Sequence, residues 1–135
     1  MPHPYRGGEL VIVIDCSDLD RSARFWAAVL GYPPGRSATG QYRSLEPGPP
    51  AAGIEVLLQR VPEVKQGKNR LHLDLRTADL EAETARVTGL GATRLTAEPI
   101  IEHGWRWHVL ADPDGNEFCV LQPPAPPGAG PAADS

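Results

Sequence analysis

Leu10-Val11-Ile12-Val13-Ile14 is an unbroken apolar run, mostly β-branched, the pattern of a central strand covered on both faces. After a polar break, Leu19, Ala23, Trp26 and Leu30 fall at i, i+4, i+7 and i+11, one stripe of an amphipathic helix. Ser17 or Asp18 caps it, since a short side-chain oxygen satisfies an orphan N–H of the first turn, and Gly31 closes it. Arg36 to Leu45 and Gly53 to Val61 read as further strands, separated by the turn-rich Glu46-Pro47-Gly48-Pro49-Pro50. After a linker at Pro62 to Gly67, Lys68 to Arg76 reads as a second opening strand. Thr77 or Asp79 caps a second helix that Gly89 and Gly91 end. Ala92 to Leu95, Trp105 to Leu110 and Glu117 to Leu121 are strands, the last two joined by Asp112-Pro113-Asp114-Gly115-Asn116, a strong turn by composition.

The pattern occurs twice. Ser17-Asp18-Leu19-Asp20-Arg21 leads to Leu30-Gly31, and Ala78-Asp79-Leu80-Glu81-Ala82 leads to Leu90-Gly91, spaced by about 60 residues, a module rather than a solenoid repeat. The order β-α-β-β-β, twice, predicts an α+β fold: two modules, about 9–61 and 68–122, with helices outside and strands wrapping a concave cup. A seam between fused modules is a natural place for a ligand pocket.

The 135 residues suffice for one domain, taken as 1–122. A net charge of −4, with dispersed basic residues, argues against a nucleic-acid partner. No apolar run approaches a membrane span, and no secretory signal follows Met1-Pro2-His3-Pro4-Tyr5-Arg6. Cys16 and Cys119 show no CxxC spacing and read as unpaired, reduced thiols of a cytoplasmic protein. Residues 123–135, almost all Pro, Ala and Gly, have nothing to bury and predict a disordered tail.

Asp18-Leu19-Asp20-Arg21-Ser22-Ala23-Arg24-Phe25-Trp26 followed by Leu30-Gly31, with Asp112-Pro113-Asp114-Gly115-Asn116, resembles the vicinal oxygen chelate superfamily, the fold of glyoxalase I, extradiol dioxygenases and bleomycin-resistance proteins. Lys68-Asn69-Arg70-Leu71-His72-Leu73-Asp74-Leu75 and Asn116-Glu117-Phe118-Cys119-Val120-Leu121 are similar to its glyoxalase-like, bleomycin-resistance-like subgroup. The resemblance implies a divalent metal held in the cup by His, Gln or Glu. The family's ligand positions fall here on Val11, His72, Cys119 and Val56, or on Glu55 if the register slips by one. One good ligand, His72, survives, whereas Zn²⁺ or Fe²⁺ sites want at least three. No metal or other cofactor is therefore expected, a divalent metal with His72 as first ligand being the alternative.

His72, Asp74 and Arg76 alternate with Leu71, Leu73 and Leu75. With the leucines packed under the helices, the polar row faces either a ligand or solvent. His72 with Asp74 is the candidate catalytic pair, a His beside a carboxylate being a general base near neutral pH. Trp105 and Trp107 share a face and either stack on a planar ligand or cover a rim of the core. Glu117 and Cys119 are added from the closing strand, and Val11 and Val13 as an apolar floor. Lys68 and Arg70 either attract an anionic group or are ordinary solvated charges. Three functions follow: a metal-independent protein binding a small organic molecule; a lyase, isomerase or hydrolytic enzyme using His72 as base, assisted by Asp74 or Glu117; or an accessory module that associates with another protein. The expected partner is a small molecule, and a monomer or a homodimer satisfies the pattern.

Overall fold

The computed structural model describes residues 10–49 and 53–126. The expected lead-in and most of the expected tail lie outside them; residues 123–126 are exposed and irregular. The chain forms two compact units that divide between Val64 and Lys65. No helix among the described residues is long and apolar enough to cross a membrane.

The first unit runs β1 (Ile12–Cys16), α1 (Leu19–Leu30), β2 (Arg36–Thr39), β3 (Tyr42–Leu45) and β4 (Val56–Arg60), with sheet order β1-β4-β3-β2. The stretch read as one strand over 36–45 is two strands, because the chain reverses at Gly40-Gln41. Of the two candidate caps, Asp18 accepts the Arg21 N–H, and Gly31 ends α1 at φ 70°, where a side chain would be strained. β1 pairs in parallel with β4, Ile12 opposite Val56, and β4 pairs antiparallel with β3. Ile14, Cys16, Leu45, Val56 and Leu58 are buried on the side facing Ala23, Trp26 and Ala27 of α1. Trp26 is 1% exposed, and burying a side chain of that size contributes about 3 kcal/mol or more.

The second unit repeats the plan: β5 (Leu73–Arg76), α2 (Leu80–Gly89), β6 (Thr93–Arg94), β7 (Ile100–Glu102), β8 (Trp105–Ala111) and β9 (Glu117–Gln122). β5 is parallel to β9, β9 antiparallel to β8, and β6 and β7 both pair with β8. β6 and β7 are one edge strand interrupted at Thr96 to Pro99, so the βαβββ order holds in both units. β7, absent from the sequence reading, forms a hairpin with β8 through His103 (φ 53°) and Gly104 (φ 85°), the left-handed pair of a two-residue turn. Asp79 caps α2 by accepting the Ala82 N–H, and the Gln122 side chain accepts the Leu80 N–H, tying α2 to β9.

Two expectations need correction. The opening strand starts at Leu73, not Lys68, and Leu71, expected under a helix, is 90% exposed. The cause is a long-range contact: Asn69 bonds Glu117 with both its backbone N–H and its side-chain amide, which bends residues 68–72 out of strand geometry.

The β8–β9 turn is built on Asp112, 3% exposed. Its Oδ1 accepts the N–H groups of Asp114 (2.9 Å) and Asn116 (2.8 Å), and its Oδ2 accepts the Asn116 amide (3.0 Å). Asp112→Ala would leave those part-buried donors unmet. It is expected to lower unfolding stability by about 3 kcal/mol, read as a lower urea midpoint at unchanged m-value. A change below about 0.5 kcal/mol would show that the turn stands without the carboxylate.

Candidate functional site

Alternation gives the second sheet two faces. Leu73, Leu75, Phe118, Val120, His108 and Leu110 lie on the face packed against α2, where Leu80, Thr84 and Val87 are buried. The other face is organised in rows by the strand register. Asp74 stands opposite Cys119 and Cys119 opposite Val109; Arg76 stands opposite Leu121, Leu121 opposite Trp107, and Trp107 opposite Ile100. On this face lies an open cavity of about 720 Å³. That size suits a small organic molecule. Lys68 and His72 bound one end; Trp105, Glu102 and His103 bound the other.

The residues fall into three chemical groups. At the first end, His72 is exposed, with Nε2 3.2 Å from the Lys68 ammonium and 3.2 Å from the Asn69 carbonyl oxygen. One ring nitrogen serves only one of these at a time, donating to Asn69 or accepting from Lys68. Beside it, burial pushes the Cys119 thiol up to about 11, and the neighbouring Asp74 carboxylate adds to the shift by repelling a thiolate and accepting the S–H. At the other end, the Arg76 guanidinium lies over the Trp105 ring, 5.3 Å from its centroid. This is within the range of a cation–π contact.

The cavity thus brings together His72, Asp74, Trp105, Trp107 and Cys119 from the sequence reading. Glu117 is corrected. It does not line the cavity; its carboxylate accepts the Asn69 N–H at 2.8 Å and pairs with Lys65 at 3.8 Å. The Asn69 N–H, aided by the charges of Lys65, Lys68 and His72, holds the Glu117 carboxyl below the usual range against the opposing effect of burial. Glu117 is a clasp for the segment before β5. The His72–Asp74 pair is corrected too: no carboxylate bonds His72 among the described residues, and Asp74 is engaged by Cys119. Val11 and Val13 belong to the first unit; Val13 is half exposed, on the face of β1 opposite the buried Ile14 and Cys16.

Sequence reasoning did not assign Ile100, Glu102, His103, Val109 or Leu121 to the site. For the β7–β8 hairpin the available signal was Gly104, a residue that takes the left-handed conformation such a turn needs. It also passed over His108, which is buried beside α2 with Nδ1 2.8 Å from Thr96 Oγ1 and Nε2 4.0 Å from Glu81.

Two α+β modules, each with its first strand parallel to its last, define a glyoxalase/bleomycin-resistance/dioxygenase-type fold. The model of the glyoxalase-like domain matches residues 11–121, and the chain belongs to that family. Solved structures of the same fold include a glyoxalase/bleomycin resistance protein/dioxygenase family enzyme from Burkholderia phytofirmans, 18% identical, with TM-score 0.66 over 83% of this chain and 95% of that one. A glyoxalase-related enzyme from Fulvimarina pelagi is 21% identical, with TM-score 0.65 over 89% and 93%. A fosfomycin resistance protein from Listeria monocytogenes, solved with Mn(II) and dihydroxypropylphosphonic acid, is 16% identical, with TM-score 0.66 over 84% and 87%. No curated protein matches the chain.

A divalent-metal centre wants at least three converging protein ligands. No three His, Cys, Asp or Glu side chains converge among the described residues. The Lys68 ammonium sits against His72 Nε2. In the first unit Val11 is apolar and Val56 lies in the core, while Glu55 accepts the Ser44 hydroxyl at 2.6 Å. The register also assigns the closing-strand position: Ile12 pairs with Val56 as Leu73 pairs with Phe118, so the counterpart of Cys119 is Leu57, not Val56 or Glu55.

Cys119 should react slowly with iodoacetamide at pH 8, with a rate that rises until pH about 11. Asp74→Asn removes the repelling charge, lowers the thiol pKa and should speed alkylation at pH 8 several-fold, read by peptide mass spectrometry. An unchanged rate in that variant would mean that burial alone sets the shift.

Proposed function

We propose that the protein is a metal-independent, glyoxalase-like binding protein that takes a small planar organic molecule on the cavity face of its second module. The observation that carries this reading is the composition of that face. Trp107, Val109, Leu121 and Ile100 form an apolar wall, and a few polar groups, His72, Asp74 and Cys119, border it. This is the usual make-up of a small-molecule site, with an indole as stacking surface. His72 and Asp74 then read the ligand's polar edge. A lyase or isomerase with His72 as base has less support, because the imidazole lacks an orienting carboxylate.

Saturation-transfer NMR with 2-naphthylmethanol tests the binding reading. Saturable binding with a Kd of about 2 mM is expected, since twelve non-hydrogen atoms at about 0.3 kcal/mol each give that affinity. Trp107→Ala should abolish it while the thermal midpoint shows a folded protein; binding that survives this change would sink the reading. Metal independence has its own test. Saturating Mn(II), Ni(II) or Zn(II) should leave the Tm of untagged protein unmoved, whereas a ligand-like rise that His72→Ala removes would establish a metal site.

A further inference from the structure

We infer that the ligand is a planar ring bearing a carboxylate, with the carboxylate on Arg76 and the ring against Trp107; this rests on the binding reading above. The starting point is the state of the cations in the second unit. Arg86 is bonded to Glu83, Arg106 lies 3.9 Å from Glu81, and Lys65 pairs with Glu117. Two cations line the cavity without a carboxylate partner among the described residues: Lys68, which lies against His72, and Arg76, which is exposed and contacts the Trp105 ring, and of the two only Arg76 is a guanidinium.

Stacking on an indole uses the face of a guanidinium and leaves its N–H edge available. That edge is a fork matched to a carboxylate. The stack also orders the side chain before any ligand arrives, which reduces the entropy lost on binding. Position supplies the rest. Arg76 and Trp107 lie in one row with Leu121 between them. Two interstrand spacings of about 4.8 Å set their backbones roughly 10 Å apart, so a ring against Trp107 can turn a carboxylate toward Arg76 across β9. Leu121 and Val109 give the ring an apolar bed.

Three probes of one shape test this: 2-naphthoate, 2-naphthylmethanol and 2-naphthylmethylamine, measured by isothermal titration at pH 7 and low salt. Naphthoate should bind about ten-fold tighter than the alcohol, the gain of a charge-assisted hydrogen bond, and the amine should bind weakest. Arg76→Gln should bring naphthoate to the alcohol's affinity and leave the alcohol unchanged, with an unaltered thermal midpoint. If the alcohol or amine binds as tightly as naphthoate, or if naphthoate keeps its advantage in Arg76→Gln, the anion inference falls and the binding reading stands. If none of the three binds the wild-type protein, both fall.

Discussion

Asp112 sits in the bend between β8 and β9 with its carboxylate taken up by two backbone N–H groups and the Asn116 amide. Its own N–H donates to the Asn116 carbonyl at 2.8 Å, which closes the turn at a single length. That length sets the β8–β9 register, Ala111 opposite Glu117 and Val109 opposite Cys119. A slip of one residue would move every side chain of β9 to the other face. Trp105, Trp107, Cys119 and Leu121 would then no longer share a wall, and Phe118 and Val120 would leave the core. One buried carboxylate therefore conditions both the hydrophobic packing under α2 and the cavity on the opposite side.

The charges around the cavity follow from what each is already bonded to. Glu117 holds Asn69 and Lys65 and so shapes the segment that carries Lys68 and His72. Asp74 keeps the Cys119 proton in place. These are internal satisfactions of polar groups, and they leave Arg76 as the guanidinium on the cavity wall with its N–H edge uncommitted to a carboxylate.

The two modules share a plan and differ in the chemistry of equivalent strands. With Asp18 and Asp79 as the equivalent caps, Val11, Val13 and Asp15 stand where the second module has His72, Asp74 and Arg76. Leu57 stands for Cys119. The repeat preserves what folding needs: a cap, an apolar helix stripe and a closing strand parallel to the opening one. Side chains on the face away from the helix are free of that requirement, and there the copies have diverged.

Local chemistry made much of this legible in the chain. Capping oxygens at Asp18 and Asp79, the stripe from Leu19 to Leu30, and the Asp112 to Asn116 turn each act within a few residues, so sequence alone determined two βαβββ modules and the family they belong to. Alternation in Leu73 to Arg76 likewise put Asp74 and Arg76 on one face. What only the tertiary structure decided were contacts between residues distant in the chain. Glu117 reaches Asn69 across 48 positions and bends the strand expected from Lys68. Asp74 meets Cys119 because parallel pairing of β5 with β9 sets them side by side. Arg76 finds Trp105 across the sheet. Periodicity assigns a side chain to a face, but its partner there is set by which strands are neighbours and in what register, and no local pattern contains that.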